Sequence, residues 1–210
     1  MRDGEGAVRT VARRGIRNPQ STREAILDAA RGILAGEGIE GLSVSAVAEA
    51  ANVNRGTAYM HFESREALVA ETIASVSEIL LRSVYGEDAW NDDIDVEAID
   101  HTELTGRIAS FAMDNPDLCK VWLLQVIASS NPSADAFWRK FLTCLQGFVK
   151  TPRAQQDVDA EVLSVLVLAG SFLWPIWSHA GSLDEAGKRA AAQRFSRELT
   201  RLSAHGSMRP

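Results

Sequence analysis

The sequence predicts an all-α fold of nine helices, in one large domain or two small ones, and three observations carry it. Apolar residues recur three and four apart along most of the chain, the spacing of a helix face. No stretch sustains the apolar–polar alternation of a strand. Ser, Asn, Asp, Gly and Pro punctuate the pattern where caps and stops are needed. With 210 residues, 46% of them hydrophobic, the chain can bury a sizeable core. No internal repeat of fixed period is visible.

The first helix is expected to start near Thr22 as N-cap, with Ile26, Ala29, Ala30, Ile33 and Leu34 inward and Gly36 and Gly38 as its stop. After the turn GIEGL, Ser43 caps a short second helix whose inner face is Val44, Val47 and Ala50–Ala51. Asn52 breaks it, and Asn54 caps a third short helix through Phe62. Ser64 caps a fourth, with Leu68, Ile73, Val76, Leu80 and Leu81 inward and Gly86 at its end. Glu87 to Glu103 holds eight acidic residues and no Lys or Arg, which reads as a surface connection running into a helix. Its carboxylates match no calcium-loop spacing, so a solvated acidic face is favoured over a cation site.

A fifth helix spans about 100–114, with Leu104, Ile108, Phe111 and Ala112 inward. The sixth starts at Pro116 after Asn115, and the seventh at Pro132 after Asn131, each with proline in the first turn. The eighth covers about 157–179, with Pro175 kinking or ending it near its C-terminus. The ninth covers about 183–204 and aligns Ala191, Phe195, Leu199 and Leu202 on one stripe.

The formal net charge of −6 is unevenly placed. Residues 1–23 carry six arginines against two carboxylates, residues 1–70 balance, and residues 71–210 hold the whole acidic excess. An arginine-rich arm is a handle for phosphate or a tail without a role; composition alone leaves both open. Cys119 and Cys144 belong to no CxxC pair, which argues against a disulfide framework or zinc site and fits a reducing compartment, with a redox switch as the minor alternative. The N-terminus has basic residues but no apolar stretch of a signal peptide behind them. The most hydrophobic run, Val162 to Trp177, is 16 residues long and interrupted by two serines, a glycine and a proline. A membrane span needs about 20 apolar residues. A soluble, cytoplasmic protein without a membrane partner is the expectation. The histidines His61, His101, His179 and His205 have no metal-ligand spacing, and neither GxSxG nor a phosphate loop occurs, so no catalysis, metal or cofactor is expected.

Ser43 to Phe62 reads as a unit: two short helices joined by a turn of about three residues, the geometry of a helix-turn-helix. Asn52 suits a positive φ in the turn, and Val53 is placed to plug the corner. The stretch TREAILDAARGILAGEGIEGLSVSAVAEAANVNRGTAYMHFESREALVAETI, Thr22 to Ile73, resembles the DNA-binding domain of the TetR family of bacterial transcriptional regulators. The matching strings are ILDAA, the G before LSV, VAEAANV, GTAYMHF and the Ser-basic-Glu-Ala-Leu run.

The resemblance implies a TetR-like fold in which the third helix enters the major groove of double-stranded operator DNA. It implies that Arg55 and Gly56 meet bases, and that Thr57 and Tyr59 touch base edges or phosphate. His61 and Arg65 take phosphate positions, and Ser45 on the second helix takes a position often held by Arg or Lys. Arginine bonds bidentately to guanine, and Tyr and Thr hydroxyls suit phosphate oxygens. From the residues alone, Tyr59 could instead lie partly in the core and His61 could be an ordinary surface histidine. Asn52, Ala58, Ser45 and Met60 depart from the usual family pattern, and Ala58 leaves volume for other core residues to fill.

The eighth helix is apolar nearly all round, so a partner chain is the simplest cover for the face that the bundle leaves open. A homodimer surface is therefore expected at Val162, Val165, Leu166, Ala169, Gly170 and Leu173 of the eighth helix and Ala191, Phe195 and Leu202 of the ninth. Ala169, Gly170 and Ser171 would let two backbones approach closely. The family resemblance also implies dimerisation through the last two helices, and a small-molecule effector in the core of the second domain. The aromatics Phe111, Trp122, Trp138, Phe141, Trp174 and Trp177 are core residues or the wall of that pocket, with His101, Gln125 and Ser129 as polar candidates. The expected organisation is a basic arm at 1–21, a helix-turn-helix domain at 22–70 and a ligand-binding and dimerisation domain at 71–205. The expected function is a dimeric repressor released from a palindromic operator by an apolar or aromatic ligand. The alternative is a DNA-binding regulator without such an effector, switched by a protein partner or constitutive.

Overall fold

The computed structural model describes residues 19–91 and 99–206. Residues 1–18, which hold most of the arginine-rich arm, and 92–98 of the acidic connection lie outside the described residues. Nine α-helices occur among those described: α1 Pro19–Gly41, α2 Val44–Ala50, α3 Arg55–His61, α4 Arg65–Tyr85, α5 His101–Asp114, α6 Pro116–Ala128, α7 Ala136–Phe148, α8 Ala160–Trp177 and α9 Glu185–Gly206. Short 3-10 turns sit at Gly86–Trp90, Pro132–Ala134 and Ala180–Ser182. No strand occurs among the described residues.

Several boundaries move. The first helix begins at Pro19, so Thr22 is a buried residue of its second turn rather than its cap. Residues 19–21 therefore belong to α1 and not to the arm. Gly36 stays helical, and the break falls at Gly38, whose φ of 73° glycine tolerates. On α2 the buried alanine is Ala48, while Ala50 is exposed. Pro132 opens a 3-10 turn instead of a helix. α7 starts at Ala136 because Asp135 provides the cap, accepting from Trp138 N at 2.9 Å. Asp159 caps α8 through Glu161 N and Val162 N at 2.9 and 3.0 Å, which sets its start at Ala160. Asp157, at φ 61°, lies in the turn before it. α8 runs through Pro175 and ends two residues later.

α4 joins the two domains. Its first half buries Leu68 in the core with Ile26, Leu34, Val47 and Phe62 of the N-terminal helices. Its second half meets α5, α6 and α7. One carboxylate holds that junction together. Asp135 accepts from the Ser77 hydroxyl on α4 at 3.0 Å and from Trp122 Nε1 on α6 at 3.1 Å, while Ser77 Oγ accepts from Phe137 N at 3.0 Å. Every polar atom of this node sits in or beside the core, where an unmade hydrogen bond is costly. Around it Trp122 meets Phe137 and Phe172 edge-on, at 5.6 and 5.0 Å between centroids.

α8 is 18 residues long and, by length and composition, apolar enough to cross a membrane. One face of it is nonetheless spent on the core: Ser164, Val167, Leu168, Ser171, Phe172 and Pro175 are buried.

Candidate nucleic-acid interface

The helix-turn-helix is built by three side-chain caps and one left-handed residue. Ser43 Oγ accepts from Ala46 N at 3.1 Å and starts α2. Asn52, at φ 52°, turns the chain, and Val53 N donates back to Ala48 O at 2.9 Å. Asn54 Oδ1 then accepts from Gly56 N at 2.7 Å and starts α3. A Cβ at position 56 would stand 3.2 Å from that oxygen, so glycine leaves the cap uncrowded. Ser64 Oγ accepts from Ala67 N at 3.1 Å and starts α4.

These constraints orient α3. Ala58 and Phe62 point inward, both essentially fully buried, and α3 packs on α1 and α2. The small Ala58 thus lies in a closed core rather than beside an open gap. Thr57 and His61 flank the inner face, half-buried. Arg55, Gly56, Tyr59 and Met60 form the outward stripe. Tyr59 is 50% exposed, so its phenol is available, and Met60 is 85% exposed. Met60, a departure from the usual family pattern, lies four residues after Gly56 and so shares its outward face. An exposed methionine on an outward stripe offers an apolar surface of the kind that meets a thymine methyl. Ser45 is half-buried on α2.

Arg65, expected to meet phosphate, is also anchored in the fold, with its side chain 41% exposed. Its Nε donates to Leu42 O and its Nη2 to Ile39 O, each at 2.8 Å, with Glu40 3.8 Å away. It ties the start of α4 to the turn between α1 and α2. The α4 N-terminus also has an acidic occupant: hydrogen bonds from its own backbone and from Ser64, with Arg65 adding, hold the Glu66 carboxyl below its ordinary range. Arg23 is engaged too, paired with Glu71 and lying 5.5 Å over the Phe62 ring. Arg31 donates to Ser75 Oγ at 2.9 Å and pairs with Asp28. Arg55 is the exposed cation of the outward stripe.

The residues expected to meet an effector lie in several settings. Trp122 and Phe111 are core. Trp138 stacks on Trp122 at 6.4 Å, and Gln125 is half-buried on α6. Ser129 is exposed at the end of α6 and accepts from Asn131 N. Trp174 turns toward α9, stacking on Phe195 at 5.8 Å and donating to Ala191 O at 3.0 Å. Trp177 is 80% exposed. Among the described residues, His101 and Phe141 line a cavity of about 40 Å³ together with Leu104, Thr105, Leu145, Phe148, Leu163, Val167, Leu199 and Ser203.

The outer face of α8 carries Val162, Val165, Leu166, Leu173, Ile176 and Trp177, all exposed in the single chain, joined by Leu202 of α9. Ala169 is half-buried along the same helix, as are Ala191 and Phe195 on α9. Gly170 and Ser171 are not part of a stripe for close backbone approach. Gly170 makes room for Phe195 of the same protomer, whose Cζ lies 3.3 Å from where a Cβ would stand, and Ser171 is buried inward.

Residues 26–72 match the family described as "Bacterial regulatory proteins, tetR family". This is a TetR-family helix-turn-helix domain. DNA binding in transcriptional regulation comes with it. The whole TetR-like fold is shared with solved structures. The fatty acid degradation regulator FadR from Bacillus halodurans has a TM-score of 0.63 at 17% identity, over 85% of this chain and 95% of that one. A TetR family transcription regulator from Marinobacter aquaeolei has the same score and identity, over 85% and 95%. The ketosteroid transcriptional regulator KstR2 of Mycobacterium tuberculosis has a TM-score of 0.57 at 14% identity, over 90% and 95%. Among curated proteins none matches this chain in sequence.

Within the TetR-type domain, the positions that the family resemblance assigns to DNA divide in two. Arg55, Gly56 and Tyr59 face outward together. Thr57, His61 and Ser45 sit at the margins, and Arg65 is tied to the turn between α1 and α2.

Proposed function

We propose that this TetR-family chain is a dimeric repressor that lays α3 of each protomer in successive major grooves of a palindromic operator. The observation that carries the reading is the outward stripe of α3, where Arg55, Tyr59 and Met60 stand clear of a fully closed domain core. The acidic excess belongs to residues 71–210 and does not load this stripe. The exposed apolar face of α8 supports the dimer, since a face of that size rarely stays bare on a soluble monomer. The protein acts in the cytoplasm, in the homodimer, on double-stranded DNA.

Release by a small apolar effector completes the proposal. α4 spans both domains, and a ligand that favours one tilt of it changes the spacing of the two α3 helices. That spacing must be about 34 Å, or a multiple, to read successive grooves. Coupling of about 1–3 kcal/mol would weaken operator binding roughly 5- to 150-fold. Two similar structures are named as regulators of fatty acid degradation and of ketosteroids, which agrees with an apolar effector.

A salt titration of binding to the DNA beside the protein's own gene tests the reading. Each phosphate contact contributes a slope of about −0.9 in log K against log salt. A steep negative slope on that DNA, with clear preference over scrambled DNA, is expected; a flat slope or equal affinity for both would overturn it.

A further inference from the structure

The cavity between α5, α7, α8 and α9 has one polar group that nothing in the fold satisfies. His101 Nε2 is buried there without a hydrogen-bond partner. Its ring is held against Phe148, with centroids 4.2 Å apart. The Thr105 hydroxyl does not answer it, because it donates to His101 O at 2.8 Å. Burial, with Arg153 adding and Asp100 opposing, lowers the His101 pKa, so the imidazole is neutral near pH 7. Among the described residues the lining contains no carboxylate, lysine or arginine. Buried polar atoms in proteins are almost always paired, and an orphan facing a cavity marks where a partner belongs.

We propose that this cavity binds an uncharged, apolar molecule through a terminal hydroxyl that hydrogen-bonds to His101 Nε2. A hydroxyl both donates and accepts, so it satisfies the imidazole in either tautomer. A carboxylate or ammonium group would lose its hydration with no opposite charge to replace it. The volume of about 40 Å³ is of the scale of one or two waters, enough for the hydroxyl and its first carbons. The rest of the molecule leaves past the half-buried rim of Leu163 and Leu199, both apolar. As the effector site, this inference rests on the proposed regulator; as a binding site, it stands apart from it.

The test titrates the full chain with 1-hexanol, hexanoate and hexylamine, following His101 by NMR of ¹⁵N-histidine-labelled protein and the ligands by saturation transfer. A saturable shift at His101 with hexanol is expected, with the two charged analogues at least tenfold weaker. His101→Phe, which keeps a ring against Phe148, should weaken hexanol binding about three- to tenfold, the worth of one hydrogen bond. Val167→Phe, which fills the floor, should abolish it. No shift at His101, equal binding of hexanoate, or hexanol binding unchanged in His101→Phe would each overturn the site. Operator affinity is read separately on the same samples. Hexanol seated on His101 that leaves operator affinity unchanged would establish the site and contradict the effector role.

Discussion

Replacing Arg55 and Tyr59 together with alanine is expected to abolish preference for the operator. A bidentate arginine–guanine pair contributes about 1–3 kcal/mol of discrimination. Adding the loss of a tyrosine contact brings the double variant to roughly 30- to 1,000-fold weaker specific binding. Neither side chain supports the fold: both project from the outward stripe while Ala58 and Phe62 hold α3 down. Thermal unfolding should therefore move little, and binding to unrelated DNA should fall less than binding to the operator. Fluorescence anisotropy on operator and scrambled duplexes separates the two effects. If operator preference survives, Met60 and Thr57 carry the reading instead.

Replacing Leu166 and Leu173 with glutamate is expected to give a folded monomer. Both side chains are more than half exposed in the single chain, so the bundle loses little. In the dimer each would bury an unpaired carboxylate where about 1.5–3 kcal/mol of leucine burial had been favourable. Dimer dissociation should strengthen by three orders of magnitude or more, roughly 4 kcal/mol. Operator affinity should fall with it, because a single α3 loses the second half-site. Sedimentation equilibrium reads the mass, and circular dichroism checks that helix content is kept. A dimer that persists would place the interface elsewhere on the chain.

Much of the reader was legible because its determinants are local. Ser43, Asn54 and Ser64 each cap a helix within three residues of themselves, and Asn52 needs only its own backbone to turn the chain. The same locality made the apolar faces of α4 and α5 readable. What escaped depends on contacts between distant parts of the chain. The anchoring of Arg65 was hidden, because the carbonyls of Ile39 and Leu42 that hold it lie some two dozen residues earlier. The start of α7 follows from Asp135, whose carboxylate also answers Ser77 and Trp122; a proline three residues upstream was the louder signal and the wrong one. Trp174 and Trp177 fit an aromatic pocket by spacing, but rotation of α8 sends one to Phe195 and the other to solvent. His101 was readable as a polar candidate, whereas its cavity was not, since Phe148 and Leu199 reach it from other helices.

The central claim is that two copies of α3 read one operator from one face of the duplex. Hydroxyl-radical footprinting on the DNA beside the gene tests it most directly. Two protected patches are expected about 34 Å apart, or a multiple of that, related by a two-fold axis and lost together in the Arg55 and Tyr59 double variant. A single unpaired patch, or the same protection from the double variant, would contradict it.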